Sequence, residues 1–461
     1  MDSPYGKRPR ATTPRARGGH HIVVHASILA ALLGCASGAG RATSEFAAAR
    51  GAEGRANARA IKADIGHLAS DRLEGRGTGT PGNDSAAAFI ARRFAALKLR
   101  PLTADYAQPF VARPLAAVHG AQPAELHTQN VVALLPGRDP SVREQFVVVG
   151  AHFDHLGRST QGALDPNRKD AIRNGADDNA SGTAAVLELA RLFTRTPPRR
   201  SLVFVAFSGE ELGLLGSQYF VEHSPVAMDS VVAMVNFDMV GRLREDKLIV
   251  YGVSTAVELR NVLDSANTGA AGPPSQSPWQ TPLRITALGD GFGPSDHSSF
   301  YAHNIPVLHF FTDLHEDYHS ATDDVKRINA VGEAHVVDVA EGVIRRIADA
   351  PARLTFVRST APPRAIAGSR RGSDVYLGSI PDMSAAEADG LRLTGVSAGS
   401  PAEQAGLAAG DVIVEFAGQT VKDLVEFSNA LYSHKPGDEV SVTVLRHGER
   451  KQFRVKLGRR G

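Results

Sequence analysis

The stretch FVVVGAHFDHLG, residues 146–157, begins with an apolar run and continues into histidine and aspartate residues. The run from Phe146 to Gly150 does not alternate between apolar and polar residues, which is typical of a strand buried on both faces. His152 and Asp154 follow at once, and open α/β sheets bind their ligands at the carboxyl ends of such strands. The pattern therefore predicts a polar site here, and the alternative is a buried His–Asp pair with a purely structural role.

Further apolar runs extend this strand into an α/β fold with a mostly parallel central sheet flanked by helices. The predicted strands are 129–137, 145–150, 201–207, 230–238 and 305–311. A helical pattern follows the segment GADDNASG (175–182), and strands that alternate with helices favour right-handed βαβ connections. Several polar side chains come just after the predicted strands: His152, Glu210, Glu211, Asp238 and His319. We therefore expect one site at one edge of this sheet.

Length, charge and cysteine content narrow the class of protein. The 461 residues exceed what one ordinary core accommodates. The formal net charge of +2 does not favour nucleic acid as a partner. Cys35 is the only cysteine, so the chain can form neither an internal disulfide nor a thiolate zinc site.

The amino terminus has the layout of an export signal. Basic residues dominate the first 20 positions, and an almost wholly apolar run follows from Ile22 to Gly34. About thirteen apolar residues are too few to span a bilayer, and the pattern is typical of a signal peptide. The sequence LLGC (32–35) resembles a bacterial lipobox, in which Cys35 would be lipidated, and the alternative is simple cleavage near residues 36–42. We expect an exported protein, either periplasmic, membrane-anchored only through a lipid, or secreted.

Changes in composition along the chain predict its division into segments and domains. After the predicted signal peptide, residues 1–35, an Ala/Gly/Ser/Arg-rich spacer covers residues 36–58. Residues 59–350 form the predicted α/β domain. A segment rich in Arg and Pro, residues 351–372, is predicted to be a linker. Short strand-like patterns in residues 373–461 predict a second, small β-rich domain.

The residues predicted at the sheet edge suit a metal site. Histidine with carboxylates, and without cysteine, is the ligand set of catalytic rather than structural zinc. Several carboxylates on one edge repel each other unless cations neutralise them, and two divalent ions bridged by a carboxylate and a water meet that need. One carboxylate must stay free to accept a proton from the attacking water. The Glu210–Glu211 pair suits these two roles, although an isolated Glu-Glu pair is more often a solvated helix start.

Taken together, the motifs resemble the co-catalytic di-zinc aminopeptidase family of the bacterial leucyl aminopeptidase and aminopeptidase Y type. The resemblance covers roughly residues 59–347, and DRLEGRGTGTPGN (71–83) resembles the start of that family's peptidase domain. The motifs that carry it are AHFDHLG, GADDNASG, FSGEELGLLGS, NFDMVGR, SDHSSF and DYHSATDD.

The resemblance implies two Zn²⁺ ions per chain and a role for each ligand. His152 and Asp238 would bind one ion, and Glu211 and His319 the other. Asp178 would bridge both, because the family's bridging aspartate stands four residues before the glycine that is here Gly182.

The resemblance also implies roles for residues around the ligands. Glu210 would be the general base, and Asp154 would orient the His152 ring. Ser295, Asp296 and His297 match the family's S-D-H motif and would support the substrate site, with a packing role for His297 as the alternative. We expect four further histidines to be structural: His155, His303, His309 and His315.

These roles imply a zinc aminopeptidase that acts on peptides with a free N-terminus. The first alternative is a glutaminyl cyclase on the same fold. The second is a non-catalytic peptide-binding protein, against which the complete ligand set argues.

The carboxyl-terminal unit resembles a PDZ domain of the kind associated with bacterial proteases. The resemblance rests on SAGSPAEQAGLAAGDVIVEFAGQTV (397–421). Tyr376, Leu377 and Gly378 would form the loop that binds the C-terminus of a peptide, and the peptide would add to the sheet edge. The alternative is a packing module without a ligand, because this loop departs from the commonest Gly-Leu-Gly-Phe form.

Overall fold

The computed structural model describes residues 55–113, 125–358, 375–381 and 390–459, apart from positions 161, 166, 273–276, 290, 292, 294, 397–398, 423–425, 428–429 and 432. The predicted signal peptide with Cys35 lies outside the described residues, as does most of the spacer and of the linker. Among the helices of the described ranges, none combines the length and apolar character that crossing a membrane requires.

Within the described ranges, residues before position 358 build a nine-stranded sheet and seven α-helices. The strands are β1 (Arg100–Pro101), β2 (Ala107–Ala112), β3 (Leu126–Leu135), β4 (Phe146–His152), β5 (Ser201–Phe207), β6 (Val231–Phe237), β7 (Lys247–Tyr251), β8 (Arg284–Ala287) and β9 (Val307–Phe311). The helices are α1 (Ala58–Leu68), α2 (Pro81–Ala96), α3 (Gly182–Arg195), α4 (Leu215–Glu222), α5 (Leu259–Ala270), α6 (His297–Tyr301) and α7 (Ala330–Asp349).

The sheet is parallel at its centre, an antiparallel pair flanks this centre on each side, and β8 pairs parallel with β7 at one edge. Its strand order is β1-β3-β5-β4-β6-β9-β7-β8, with β2 also paired to β3. The four central strands β5, β4, β6 and β9 run parallel, as the sequence predicts. β3 joins β5 antiparallel and β7 joins β9 antiparallel, so the whole sheet is mixed. The predicted strands did not include β1, β2, β7 and β8, which lie toward the edges of the sheet.

The central strands are buried on both faces, which explains their unbroken apolar runs. Every residue of β4, β5, β6 and β9 is buried. In β4, Val147 and Val149 belong to one apolar cluster and Val148 belongs to another, since successive side chains of a strand point to opposite faces. Helices therefore cover both sides of the sheet, and only the strand ends are open to a site.

The residues from 375 onward form short strands around a separate apolar cluster. These strands are β10 (Val375–Tyr376), β11 (Ser379–Pro381), β12 (Leu391–Val396), β13 (Val412–Phe416), β14 (Gln419–Thr420), β15 (Glu439–Arg446), β16 (Glu449–Lys456) and β17 (Gly458–Arg459), with a short helix α8 (Pro401–Gln404). The main sheet has the order β11-β12-β13-β15-β16, and β10 pairs with β17. Among the described strands, β11 therefore lies at a sheet edge.

Candidate metal centre

The polar residues that follow the four central strands lie together at one edge of the sheet. His152 is the last residue of β4, Glu210 and Glu211 follow β5, and Asp238 follows β6. His319 comes from the loop between β9 and α7. Because the central strands are parallel, their carboxyl ends meet at the same edge, and side chains distant in sequence come into contact there.

Asp178 stands between two groups of ligand atoms. His152 Nε2 lies 3.5 Å from Asp178 Oδ1 and 3.3 Å from Asp238 Oδ1. His319 Nε2 lies 3.1 Å from Asp178 Oδ2 and 3.3 Å from Glu211 Oε1. Asp178 thus turns one carboxylate oxygen to each group, which is the arrangement that a bridging ligand requires.

The separations and charges of these atoms fit two metal ions. Zinc binds nitrogen and oxygen ligands at about 2.0–2.2 Å, so ligand atoms around a tetrahedral ion lie about 3.3 Å apart. Burial by itself lowers the pKa of His152, but the carboxylates around it, Asp238 and Glu210 first, raise this pKa well above its ordinary value. Burial opposes the charge of His319 as well, yet Glu211 and Asp178 raise its pKa to about 10. The centre therefore favours positive charge, which metal ions would supply.

Backbone carbonyls orient both histidine rings. His152 Nδ1 lies 3.2 Å from the carbonyl oxygen of Asp154, and His319 Nδ1 lies 2.9 Å from that of Gly162. Each contact favours the tautomer in which Nδ1–H donates and Nε2 is left to bind metal.

The Asp154 side chain forms hydrogen bonds with groups other than the His152 ring. Its Oδ1 lies 3.8 Å from His152 Nδ1, which is longer than a hydrogen bond. Its direct partners are Thr78, whose hydroxyl donates to Oδ2 at 2.8 Å, and the backbone N–H of Glu210, which donates to Oδ1 at 3.2 Å. Asp154 therefore connects the end of β4 to the turn that carries Glu210, a buried residue.

His155 belongs to the centre, although we expected it to be structural. Two groups of three side chains could each hold a metal ion, because the ligand atoms within each group lie within 4.8 Å of one another. The first group is His152, Asp178 and Asp238, and the second is His155, Asp178 and Glu211. The position of His155 just beyond β4, three residues after His152, was the available signal.

A second set of carboxylates lies behind Asp178 and holds its backbone. The Oδ2 of Asp323 accepts hydrogen bonds from the N–H groups of Asp177 and Asp178, at 2.9 and 3.0 Å. Asp177 in turn contacts His315 Nε2 at 3.0 Å and accepts a bond from the N–H of Gly241. The bridging aspartate is thus fixed from the protein side, and sequence reasoning did not identify these partners.

The Ser295–Asp296–His297 segment lies at the start of α6 and is buried. The Asn236 side chain, on β6, donates to the Ser295 hydroxyl at 2.9 Å. The His297 ring stacks on His309 with centroids 4.4 Å apart, which is a packing contact. Burial raises the pKa of Asp296 to about 7.

The predicted peptide loop of the carboxyl-terminal unit begins at Tyr376, the last residue of β10, and leads to β11. Leu377 is buried in the apolar cluster, and its carbonyl accepts a hydrogen bond from the N–H of Ala402. Gly378 has a φ of +84°, and a Cβ there would lie 2.2 Å from that of Ser400. Only glycine fits this position, which leads the chain from Tyr376 to the edge strand β11.

Comparisons with known protein families match two separate parts of the chain. The model of peptidase family M28 matches residues 130–344, and that of the PDZ domain matches residues 364–457.

Individual relatives match parts of the chain. A probable zinc metalloprotease of Pyrenophora teres f. teres (strain 0-1) is 38% identical over 118 residues, which are 25% of this chain and 23% of that protein. Aminopeptidase YwaD of Bacillus subtilis (strain 168) is 28% identical over 209 residues, 44% of this chain and 41% of that protein. The chain spans between 23% and 50% of the length of the curated relatives it matches.

The crystal structure of a Zn-dependent exopeptidase from Parabacteroides distasonis ATCC 8503 has the same fold. It matches with a TM-score of 0.51 and 16% identity, over 63% of this chain and 98% of that one.

Proposed function

Because the chain contains a peptidase family M28 domain followed by a PDZ domain, we propose that it is a zinc-dependent aminopeptidase that removes N-terminal residues from peptides. The observation that carries the proposal is the placement of Asp178 between the His152–Asp238 and Glu211–His319 pairs. Five ligands at one edge of the sheet match the requirements of two zinc ions.

The residues divide between holding metal and moving a proton. Two zinc ions bound by these ligands would polarise the substrate carbonyl and lower the pKa of a shared water. Glu210 accepts the proton of the attacking water and returns it to the leaving amine. Asp154 accepts a hydrogen bond from the Glu210 N–H and so holds the turn that carries this side chain. Metal ions bound beside these carboxylates would suit recognition of a free α-amine.

The first test measures hydrolysis of leucyl-p-nitroanilide by the full chain as purified, after chelation and after addition of zinc. We expect turnover that chelation abolishes and zinc restores. Glu210→Gln is expected to lower kcat by about 10²–10⁴-fold, because it removes the proton acceptor, while zinc content stays unchanged. Glu222→Gln, an exposed substitution at the end of α4, is the matched control and should keep full activity.

Other outcomes would contradict this assignment in distinct ways. Conversion of an N-terminal Gln peptide to pyroglutamate, without peptide hydrolysis, would identify a glutaminyl cyclase instead. Two bound zinc ions without any turnover would favour a non-catalytic peptide-binding protein. Absence of bound metal would refute the site itself.

The PDZ domain is proposed to bind the C-terminus of a peptide at the edge strand β11, next to the loop of Tyr376, Leu377 and Gly378. A strand at a sheet edge offers unpaired backbone groups to an added strand. A fluorescent peptide library with free or amidated C-termini tests this role. Binding that requires the free carboxylate supports it, and equal binding of both forms would contradict it.

Export and lipid anchoring are also proposed, on the layout of residues 1–35. Mass spectrometry of the mature protein from a bacterial membrane fraction would identify a lipidated amino-terminal Cys35. A mature chain that begins within residues 36–42 would show simple cleavage instead.

A further inference from the structure

The shortest contact that Glu211 makes with a histidine is with His155 rather than with His319. His155 Nδ1 lies 2.9 Å from Glu211 Oε1, which is hydrogen-bond distance. The same nitrogen lies 3.7 Å from Asp178 Oδ2. The His155 ring is buried, and its Nε2 has no hydrogen-bond partner in the described part of the chain. Within the described residues, the carboxylates that the ring approaches are therefore those of Glu211 and Asp178, two predicted metal ligands.

The backbone around His155 holds the ring in one place. Gly175 has a φ of +54°, and a Cβ there would lie 2.5 Å from the ring of His155. The N–H of His155 donates to the carbonyl of Arg76 at 3.3 Å. The Arg76 guanidinium is fully buried and donates to the carbonyls of Phe153 and Gly175. The ring is thus wedged between the end of β4 and the loop before α3, with little freedom to turn.

Glu211 needs such an external partner because of its position in a turn. The carbonyl of Glu210 accepts bonds from the N–H groups of Gly213 and Leu214, which fixes the turn's backbone and leaves the Glu211 side chain to be oriented by other contacts. A glutamate has three rotatable side-chain bonds and loses considerable entropy when it is held in one orientation. A fixed donor on one carboxylate oxygen lowers the further cost of ordering it when metal binds.

We propose that His155 is a positioning residue that donates its Nδ1–H to Glu211 and so prepares this carboxylate to bind a metal ion. The inference rests on the metal site of the proposed function but not on its peptidase activity. It also separates His155 from His319, which approaches the same two carboxylates and carries the metal-binding role.

The test compares two amides that differ in where they place an N–H group. Asparagine places its amide nitrogen near the position of Nδ1, whereas glutamine places it near that of Nε2. We expect His155→Asn to keep near-native zinc binding, while His155→Gln weakens binding of one of the two zinc ions by about 10–100-fold. His303→Asn, at an exposed histidine, is the matched control. Zinc affinity is measured by competition with a chromophoric chelator, and circular dichroism checks that each variant is folded.

Two results would overturn the proposal. If both amide variants lose one zinc ion and the visible spectrum of the Co²⁺-loaded protein changes, His155 is a direct ligand. If His155→Gln binds two zinc ions as tightly as the native chain, the contact has no positioning role. Both readouts are independent of turnover, so the absence of aminopeptidase activity would refute the proposed function without deciding the role of His155.

Discussion

Glu333 shows how the surroundings of one residue make a charged group uncharged. It lies in the first turn of α7 and is fully buried, and neither carboxylate oxygen has a hydrogen-bond partner in the described residues. Burial, with the charge of Asp177, raises the pKa of Glu333 well above its ordinary value. The folded chain therefore holds a proton at Glu333 that the unfolded chain releases above pH 4.5.

Because the folded chain keeps this proton and the unfolded chain releases it, the free energy of unfolding falls as pH rises from 4.5 toward the folded-state pKa of Glu333. Glu333→Gln removes the titration, so the variant's free energy of unfolding should exceed that of the native chain increasingly with pH, by up to about 1.4 kcal/mol per pH unit. Urea unfolding of the metal-free protein between pH 5 and 8 measures this difference. Glu341→Gln on the same helix, which removes an ion pair with Arg345, should bring no gain. A difference that stays constant with pH would contradict the argument.

At the scale of elements, the candidate metal centre depends on the contact between the start of α3 and the end of β6. The Asn179 side chain donates to the carbonyl of Phe237 at 2.9 Å and accepts from the N–H of Gly182 at 2.8 Å. These bonds connect the segment that carries Asp178 with the strand end that carries Asp238. A Cβ on Gly182 would lie 2.4 Å from the Phe237 carbonyl oxygen, so only glycine allows this approach.

Gly182→Ala therefore tests the fit between these elements. Alanine favours a helix over glycine by about 1 kcal/mol, but the overlap should dominate and lower the free energy of unfolding by about 1–3 kcal/mol. Zinc affinity should fall as well, because the two carboxylates are pushed apart. Gly269→Ala, at an exposed position of α5, should be neutral or slightly stabilising. A Gly182→Ala variant with native stability and native zinc affinity would disprove the argument.

At the scale of the whole molecule, the described chain has apolar cores that do not share residues. Three clusters draw on residues between 56 and 356, and the fourth draws on residues 375–457. All the predicted zinc ligands belong to the first part of the chain. Metal binding should therefore stabilise the peptidase domain and leave the PDZ domain unaffected.

Calorimetry of the full chain should accordingly show two unfolding transitions. Zinc at about 100 times its Kd stabilises the folded state by about 2.7 kcal/mol, which should raise the Tm of the peptidase transition by roughly 5–10 °C. The PDZ transition should not move, and a chelator should reverse the shift. A single transition that moves as a whole with zinc would show that the two parts unfold together.

The order of apolar and polar residues along the sequence was enough to predict the central strands and the residues at their ends. The runs of β4, β5, β6 and β9 are apolar without alternation because both faces of each strand are covered, and polar residues then stand where each run ends. This combination is visible in a single sequence, so the parallel centre of the sheet is confirmed and the five predicted ligands lie together. Their roles as ligands stay predictions.

Only the tertiary structure decided which partners support those ligands. His155 and Glu211 are 56 positions apart, and Asp177 and His315 are 138 apart, so no spacing along the chain relates them. The outer strands β1 and β8 were likewise hidden, because two and four residues are too few to give a clear pattern. The pattern of apolar residues along a strand shows whether that strand is buried. Which side chains come into contact depends on the path of the whole chain, because the contacting residues are far apart in the sequence.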